Sequence, residues 1–165
     1  MPDWCNNKGS IELKDGVDVE KFIEKIGAKI DDDQFRFDYN KMIPVPDGGE
    51  FIAITRSTLW GCKWNDEPDK YNSGTKNFYD EGLEFYDFIT PYGPPQRIME
   101  FLWNMDEVEK IEWSFRIGHS DYDGLFKDGK WFEKEYIEVE IMDIEVEKEI
   151  IKQFLANMTK KKEAA

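Results

Sequence analysis

Trp60-Gly61-Cys62-Lys63-Trp64-Asn65 sets two indoles, a glycine and a cation side by side. Indole is the largest apolar side chain, and its N–H needs a partner once buried. Glycine lets backbone approach backbone, or takes positive φ. Such a stretch makes a poor surface loop and a poor regular helix. It predicts a knot that packs back onto a sheet, and the rest of the chain has to supply that sheet.

Downstream of the knot, Asp66 to Asn77 is polar and turn-rich and predicts an excursion away from the sheet. Leu83-Glu84-Phe85-Tyr86-Asp87-Phe88-Ile89 reads as a strand, ended by Pro91, Pro94 and Pro95. Proline suits the first turn of a helix, where its missing N–H costs nothing. Ile98, Phe101, Leu102 and Met105 then follow at helical spacing, and Lys110 to Ile117 alternates as a further strand. Leu125 to Phe132 predicts a hairpin about Asp128-Gly129. Tyr136 to Ile141 alternates again, and Ile151, Phe154, Leu155 and Met158 predict a closing helix. The basic tail Lys160-Lys161-Lys162 suits the negative end of that helix.

Upstream, Phe51 to Trp60 fits either a strand or a short helix, and Lys41 to Gly49 reads as an extended loop. Phe35-Arg36-Phe37-Asp38-Tyr39 predicts the second strand, and Asp31-Asp32-Asp33 a solvated turn. Asp18 caps a helix with Phe22, Ile23 and Ile26 on one face and Gly27 at its end. Trp4 to Leu13 is the first strand. The order β-α-β-β-α-β is the ferredoxin-like arrangement. The expected fold is therefore α+β: an antiparallel sheet with helices on one face, in one domain spanning residues 1–165. A Trp-containing insertion covers about 44–80, and a C-terminal hairpin and helix addition covers about 125–158. The knot and the C-terminal segment are the covers available for the other face of the sheet.

A chain of 165 residues with 12 Phe, 7 Tyr and 6 Trp can bury a real core despite being 35% charged. The net charge of −14 repels phosphate backbones and anionic membranes, and draws basic partners. Cys5 and Cys62 are too few for a disulfide framework and read as reduced thiols. Met1-Pro2-Asp3-Trp4 lacks the basic and apolar regions of a signal peptide. No apolar run approaches the ~18 residues of a membrane span. A cytoplasmic protein is expected.

Three stretches stand together: Met1-Pro2-Asp3-Trp4-Cys5-Asn6-Asn7, Trp60-Gly61-Cys62-Lys63-Trp64-Asn65, and Pro94-Pro95 opening the second helix. The chain thereby resembles the YubB-type ferredoxin-like proteins of plasmids and bacteriophages. Members of that family typically begin Met-Pro-Asn-Trp-Cys-x-Asn and carry Trp-Gly-Thr-Lys-Trp-Asn. Asp3 and Cys62 depart from that pattern. The resemblance implies a ferredoxin-like topology and a mobile-element origin. It implies no iron–sulfur chemistry, since two cysteines cannot supply four thiolates, and no activity. Trp4, Cys5, Asn7, Trp60, Gly61, Lys63, Trp64 and Asn65 are motif positions only.

No catalytic set converges. The lone His119 stands beside Ser120 and Asp121, but sequence neighbours rarely form a triad. Cys62 beside Lys63 reads as a packed thiol rather than a nucleophile. Asp121-Tyr122-Asp123-Gly124 starts like a calcium loop, yet Leu125 and Phe132 hold the later ligand positions. No phosphate-binding glycine loop is present. Neither a metal nor a cofactor is expected.

Glu138, Glu140, Asp143, Glu145 and Glu147 lie in an acidic C-terminal segment, and an extended strand spaces same-face carboxylates by about 6.6–7 Å. Such a row matches phosphate spacing and suits a basic groove. The expected function is a non-enzymatic phage- or plasmid-type protein that inhibits or sequesters a basic host protein, from defence or nucleic-acid processing. The alternative is nucleotide or single-strand binding through Trp60, Lys63, Trp64 and Asn65, with Phe35, Phe37, Phe85, Trp113 and Phe115 as stacking platforms.

Overall fold

The computed structural model describes residues 4–45, 56, 58–62, 65–66, 74–91, 93–118 and 122–133. Their elements, in chain order, are β1 (Trp4–Leu13), α1 (Val19–Ile26), β2 (Gly27–Lys29), β3 (Phe35–Phe37) and α2 (Tyr39–Met42). Next come β4 (Thr75–Tyr79), β5 (Gly82–Pro91), α3 (Gln96–Trp103), β6 (Val108–Ile117), β7 (Tyr122–Lys127) and β8 (Lys130–Glu133). Six strands form one antiparallel sheet in the order β4-β5-β1-β6-β7-β8, and β2 pairs with β3 in a separate hairpin. The fold is α+β.

Local chemistry explains most of these elements. Asp18 Oδ1 accepts the N–H groups of Glu20 and Lys21, capping α1, a contact worth about 1 kcal/mol. Val19, Phe22, Ile23 and Ile26 form the buried stripe of that helix. α3 starts directly after Pro94-Pro95, as proline chemistry predicts, and buries Ile98, Met99 and Leu102. Asp128 and Gly129 both take positive φ, 47° and 85°, which closes the β7–β8 hairpin with the twist such turns need.

Two sequence expectations are corrected. Phe35–Phe37 is not a strand of the main sheet. It stops after three residues because Asp38 caps α2 at once, accepting from Asn40 N–H. The strand beside β5 is instead Thr75–Tyr79, which begins within Asp66 to Asn77, the stretch read as an excursion, and ends two residues past it. β2–β3 leans on the outer edge of β4 through a Gln34–Asn77 bridge and a Phe78 N–H bond to Asp33 O. The predicted hairpin about Asp128-Gly129 is present, and its strands extend the main sheet rather than forming an appendage. The predicted closing helix lies outside the described residues.

β1 runs through the middle of the sheet, and its alternation defines two faces. Cys5, Asn7, Ile11 and Leu13 face the core with α1, α2, α3 and β3, whereas Asn6, Lys8, Ser10 and Glu12 face outward. Gly9 pairs with Phe85 on one side and with Trp113 on the other. With no side chain between them, these two rings meet at 4.5 Å between centroids, and Phe37 and Phe88 close around them. Gly124 gives Phe115 the same clearance on β7.

A buried amide sits inside this aromatic cluster. Asn7 is fully buried; its amide donates to Phe88 O and Thr90 Oγ1, and its Oδ1 accepts the Trp113 indole N–H at 2.9 Å. The three central strands are thereby joined by side chain as well as backbone.

Two substitutions test this core by urea denaturation. Gly9→Ala puts a Cβ 2.3 Å from Glu112 O and against the Phe85 ring, and is expected to cost about 2–3 kcal/mol, toward the upper end for overpacking. Asn7→Leu orphans the Trp113 N–H and is expected to cost about 3 kcal/mol, from two or more buried groups at about 1–3 kcal/mol each.

Candidate functional site

The outward face of the sheet is the place where groups of different chemistry gather, and the strand register fixes their arrangement. Ser10 lies between Glu84 of β5 and Glu112 of β6. In the adjoining row Lys8 faces Ser114 of β6. On the β5 side of Lys8 the register slips, because Phe85 and Phe88 both face the core with only Tyr86 and Asp87 between them. Asp87 takes φ 55°, a conformation that aspartate tolerates better than most residues. This bulge sets the Tyr86 ring and the Asp87 carboxylate together beside Lys8. Bulges commonly re-aim side chains in this way near functional sites.

A groove of about 480 Å³ lies over these two rows, with Ser10 and Gly9 in its floor and Glu84, Tyr86, Asp87 and Glu112 among its walls. Lys8, Ser10, Glu84, Tyr86, Asp87 and Glu112 are exposed. Glu84 is held in place by the Tyr79 hydroxyl, which donates to its Oε2 at 2.9 Å. That hydrogen bond to Glu84 is the main cause raising the Tyr79 phenol above its usual range. A smaller groove of about 280 Å³ continues past Asn6 toward Arg116 and Asp123.

The sequence-predicted site residues that the structure describes, Trp60 and Asn65, fall elsewhere. Trp60 is buried to 1% exposure on the core side, packed edge-on against Tyr39, with its indole N–H on Ile43 O at 2.7 Å. Neither ring face is offered to a base, and Trp60 and Cys62 of the knot belong to the core rather than to the outward face. Asn65 serves the backbone: its Oδ1 accepts from Tyr39 N–H and Asp66 N–H, and its amide donates to Asp38. Cys62 and Cys5 are buried, and neither is in a disulfide. Phe35, Phe37, Phe85, Trp113 and Phe115 all face the core. Lys63, Trp64, Glu138, Glu140, Asp143, Glu145 and Glu147 lie outside the described residues, as do His119, Ser120 and Asp121.

Sequence reasoning missed a buried ion pair. Lys76 Nζ sits 3.0 Å from Asp66 Oδ2, with the two side chains 3% and 0% exposed. The ammonium also lies 4.4 Å from the centroid of the Phe88 ring, and the carboxylate accepts Phe37 N–H. Lys76 occupies an inward position of β4, the one place where a strand pattern argues against lysine. Burial pushes the Asp66 carboxyl up, opposed by Lys76, and pushes the Lys76 amine down, opposed by Asp66. A raised carboxyl favours folding below its ordinary value of 3.8 and loses that contribution as pH rises through the native value. A lowered amine favours folding above 10.5 and loses it as pH falls through the native value. Around neutrality the pair is a desolvated couple that ties residues 65–66 to β3 and β4.

A second surface feature is electrostatic. Leu13 N–H bonds Glu81 O, Lys14 N–H bonds Glu107 O, and Phe78 N–H bonds Asp33 O. These bonds draw four loops to one end of the sheet. The loops carry Asp15, Asp31-Asp32-Asp33, Asp80-Glu81 and Asp106-Glu107, most of them exposed. Lys25 answers Glu107 across 3.2 Å at a well-exposed position, where an ion pair adds little.

Among the described residues no three His, Cys, Asp or Glu side chains gather as metal ligands, and no helix is long and apolar enough to cross a membrane. In comparisons with known proteins, no family model matches the chain, and no curated protein or solved structure matches it significantly.

The ion pair yields a test. At pH 7, Lys76→Met alone leaves Asp66 charged and unpaired and is expected to cost about 3–5 kcal/mol. That penalty should shrink as pH falls and Asp66 takes up its proton. Asp66→Asn with Lys76→Met removes both charges and should recover most of that penalty at pH 7. Urea titrations at pH 7 and pH 5 read all three outcomes.

Proposed function

We propose that this chain is a non-enzymatic binding protein of phage or plasmid type that captures a basic host protein, from defence or nucleic-acid processing, in the cytoplasm. One observation carries the reading: the four loops that bring exposed carboxylates to one end of the sheet, in a chain of net charge −14. A surface of one sign speeds capture of an oppositely charged partner and repels nucleic acid. Glu138, Glu140, Asp143, Glu145 and Glu147 extend the acidic surface in this proposal. Burial of Trp60 and the backbone role of Asn65 weigh against the nucleotide-binding alternative, whose remaining residues are Lys63 and Trp64.

The fold reading belongs to the same proposal. Taken without β2, β3 and α2, the order β1-α1-β4-β5-α3-β6 is β-α-β-β-α-β, and its strands lie as β4-β5-β1-β6. Supported by that order, the core is ferredoxin-like, with β2, β3 and α2 inserted before β4 and with β7 and β8 appended. It agrees with the likeness of the three sequence motifs to the YubB-type family.

Affinity capture from nuclease-treated bacterial lysate tests the function. The expected result is one basic protein that is released by moderate salt. It should be lost after charge reversal at Glu138, Glu140 and Glu145, or at Asp32, Asp80 and Glu81, and kept after Lys63→Ala with Trp64→Ala. Retention of a nucleotide or oligonucleotide from untreated lysate, with no protein captured, overturns the reading.

A further inference from the structure

We propose that the groove over Ser10 is the anchoring site for an arginine side chain presented by an extended, basic segment of the partner. The inference rests on the basic-partner reading and names the place where contact becomes specific. Three observations support it. First, the register puts Glu84 and Glu112 on either side of Ser10, the short member of its row. With neighbouring strands about 4.8 Å apart, the backbone positions of the two glutamates lie roughly 10 Å from each other, a gap their side chains can narrow over the serine. A guanidinium lowered over the serine can therefore meet both, while no side chain between them resists it. Second, the bulge adds the Asp87 carboxylate and the Tyr86 ring, 42% exposed, at one side of the groove. Planar guanidinium stacks on aromatic faces more often than ammonium does, which favours arginine over lysine. Third, the Tyr79 hydroxyl fixes Glu84 before any ligand arrives, so less side-chain freedom is lost on binding.

The charge balance of the groove points the same way. Glu84, Asp87 and Glu112 face one amine, Lys8. The two rows lie about 6.6–7 Å apart along β1, the repeat of same-side residues in an extended chain. A partner segment running along β1 thus sets one side chain over Ser10 and the next same-side residue over Lys8 and Ser114. Lys8 opposes a second cation there, so of the arginines in a basic segment the groove seats one, over Ser10.

The test uses the full chain, labelled with nitrogen-15, and three probes: acetylated and amidated tri-arginine, tri-lysine and oligothymidylate. In low salt, tri-arginine is expected to shift the amides of Lys8, Ser10, Glu84 to Asp87 and Glu112 to Ser114. Its affinity should exceed that of tri-lysine and fall at least tenfold in Glu84→Gln with Glu112→Gln, both at exposed positions. Ser10→Trp should block the same shifts. If tri-arginine perturbs only the loops at Asp31 to Asp33, Asp80 and Glu107, the groove is overturned while the basic-partner reading stands. If it perturbs nothing, both fall. Groove shifts that survive the double substitution, or that oligothymidylate produces instead, also overturn the inference.

Discussion

A single buried amide holds the central strands in register. Asn7 stands on β1 with no exposure, and its hydrogen bonds run to β5 and to the Trp113 indole on β6. Buried polar groups are costly unless satisfied, so this side chain tolerates one arrangement of its neighbours. A slip of one residue would turn Asn7 outward and orphan the Trp113 N–H. The rings of Phe85 and Trp113 can meet over Gly9 only in that same register. The outward rows that build the groove are the other half of the same pairing.

The insertion is secured by a different device. Asn65 and Asp66 bind the backbone at Tyr39 and Phe37, and Lys76 closes the arrangement from β4. Apolar contact alone does not select one partner among many, whereas a buried ion pair with further hydrogen bonds is satisfied in one geometry. Here that specificity fastens residues 65 and 66 to the flank of the sheet. Trp60, hydrogen-bonded to Ile43 O, supplies the apolar part of the same attachment.

Much of the fold is legible in the residue pattern, and the exceptions have physical causes. β1 alternates along its length and β6 from Ile111 onward, Asp18 marks the start of α1, and Asp128-Gly129 marks its hairpin. The strand Thr75–Tyr79 is hidden because Lys76, an inward residue, breaks the alternation that would reveal it. Phe35–Phe37 imitates a core strand because its two rings enter the core from a hairpin on the helix side. Trp60 as a buried, hydrogen-bonded plug agrees with the chemistry of indole. The groove is barely legible: Ser10, Glu84 and Glu112 look like ordinary solvent positions until the register places them in one row. Tyr86-Asp87 contains no glycine or proline to announce a bulge.

The glycine at position 9 has one more consequence. The side chains that set stability and those that shape the groove alternate along the same strands, with backbone between them. Core letters such as Asn7, Phe85 and Trp113 constrain one another tightly, while the intervening letters Lys8, Ser10, Glu84 and Glu112 are exposed on the other face. The outward face can therefore be rewritten residue by residue at little cost to folding. Such a sheet can drift with a changing counterpart while its architecture stays constant, and among distant descendants the shared identity should concentrate at every second strand position.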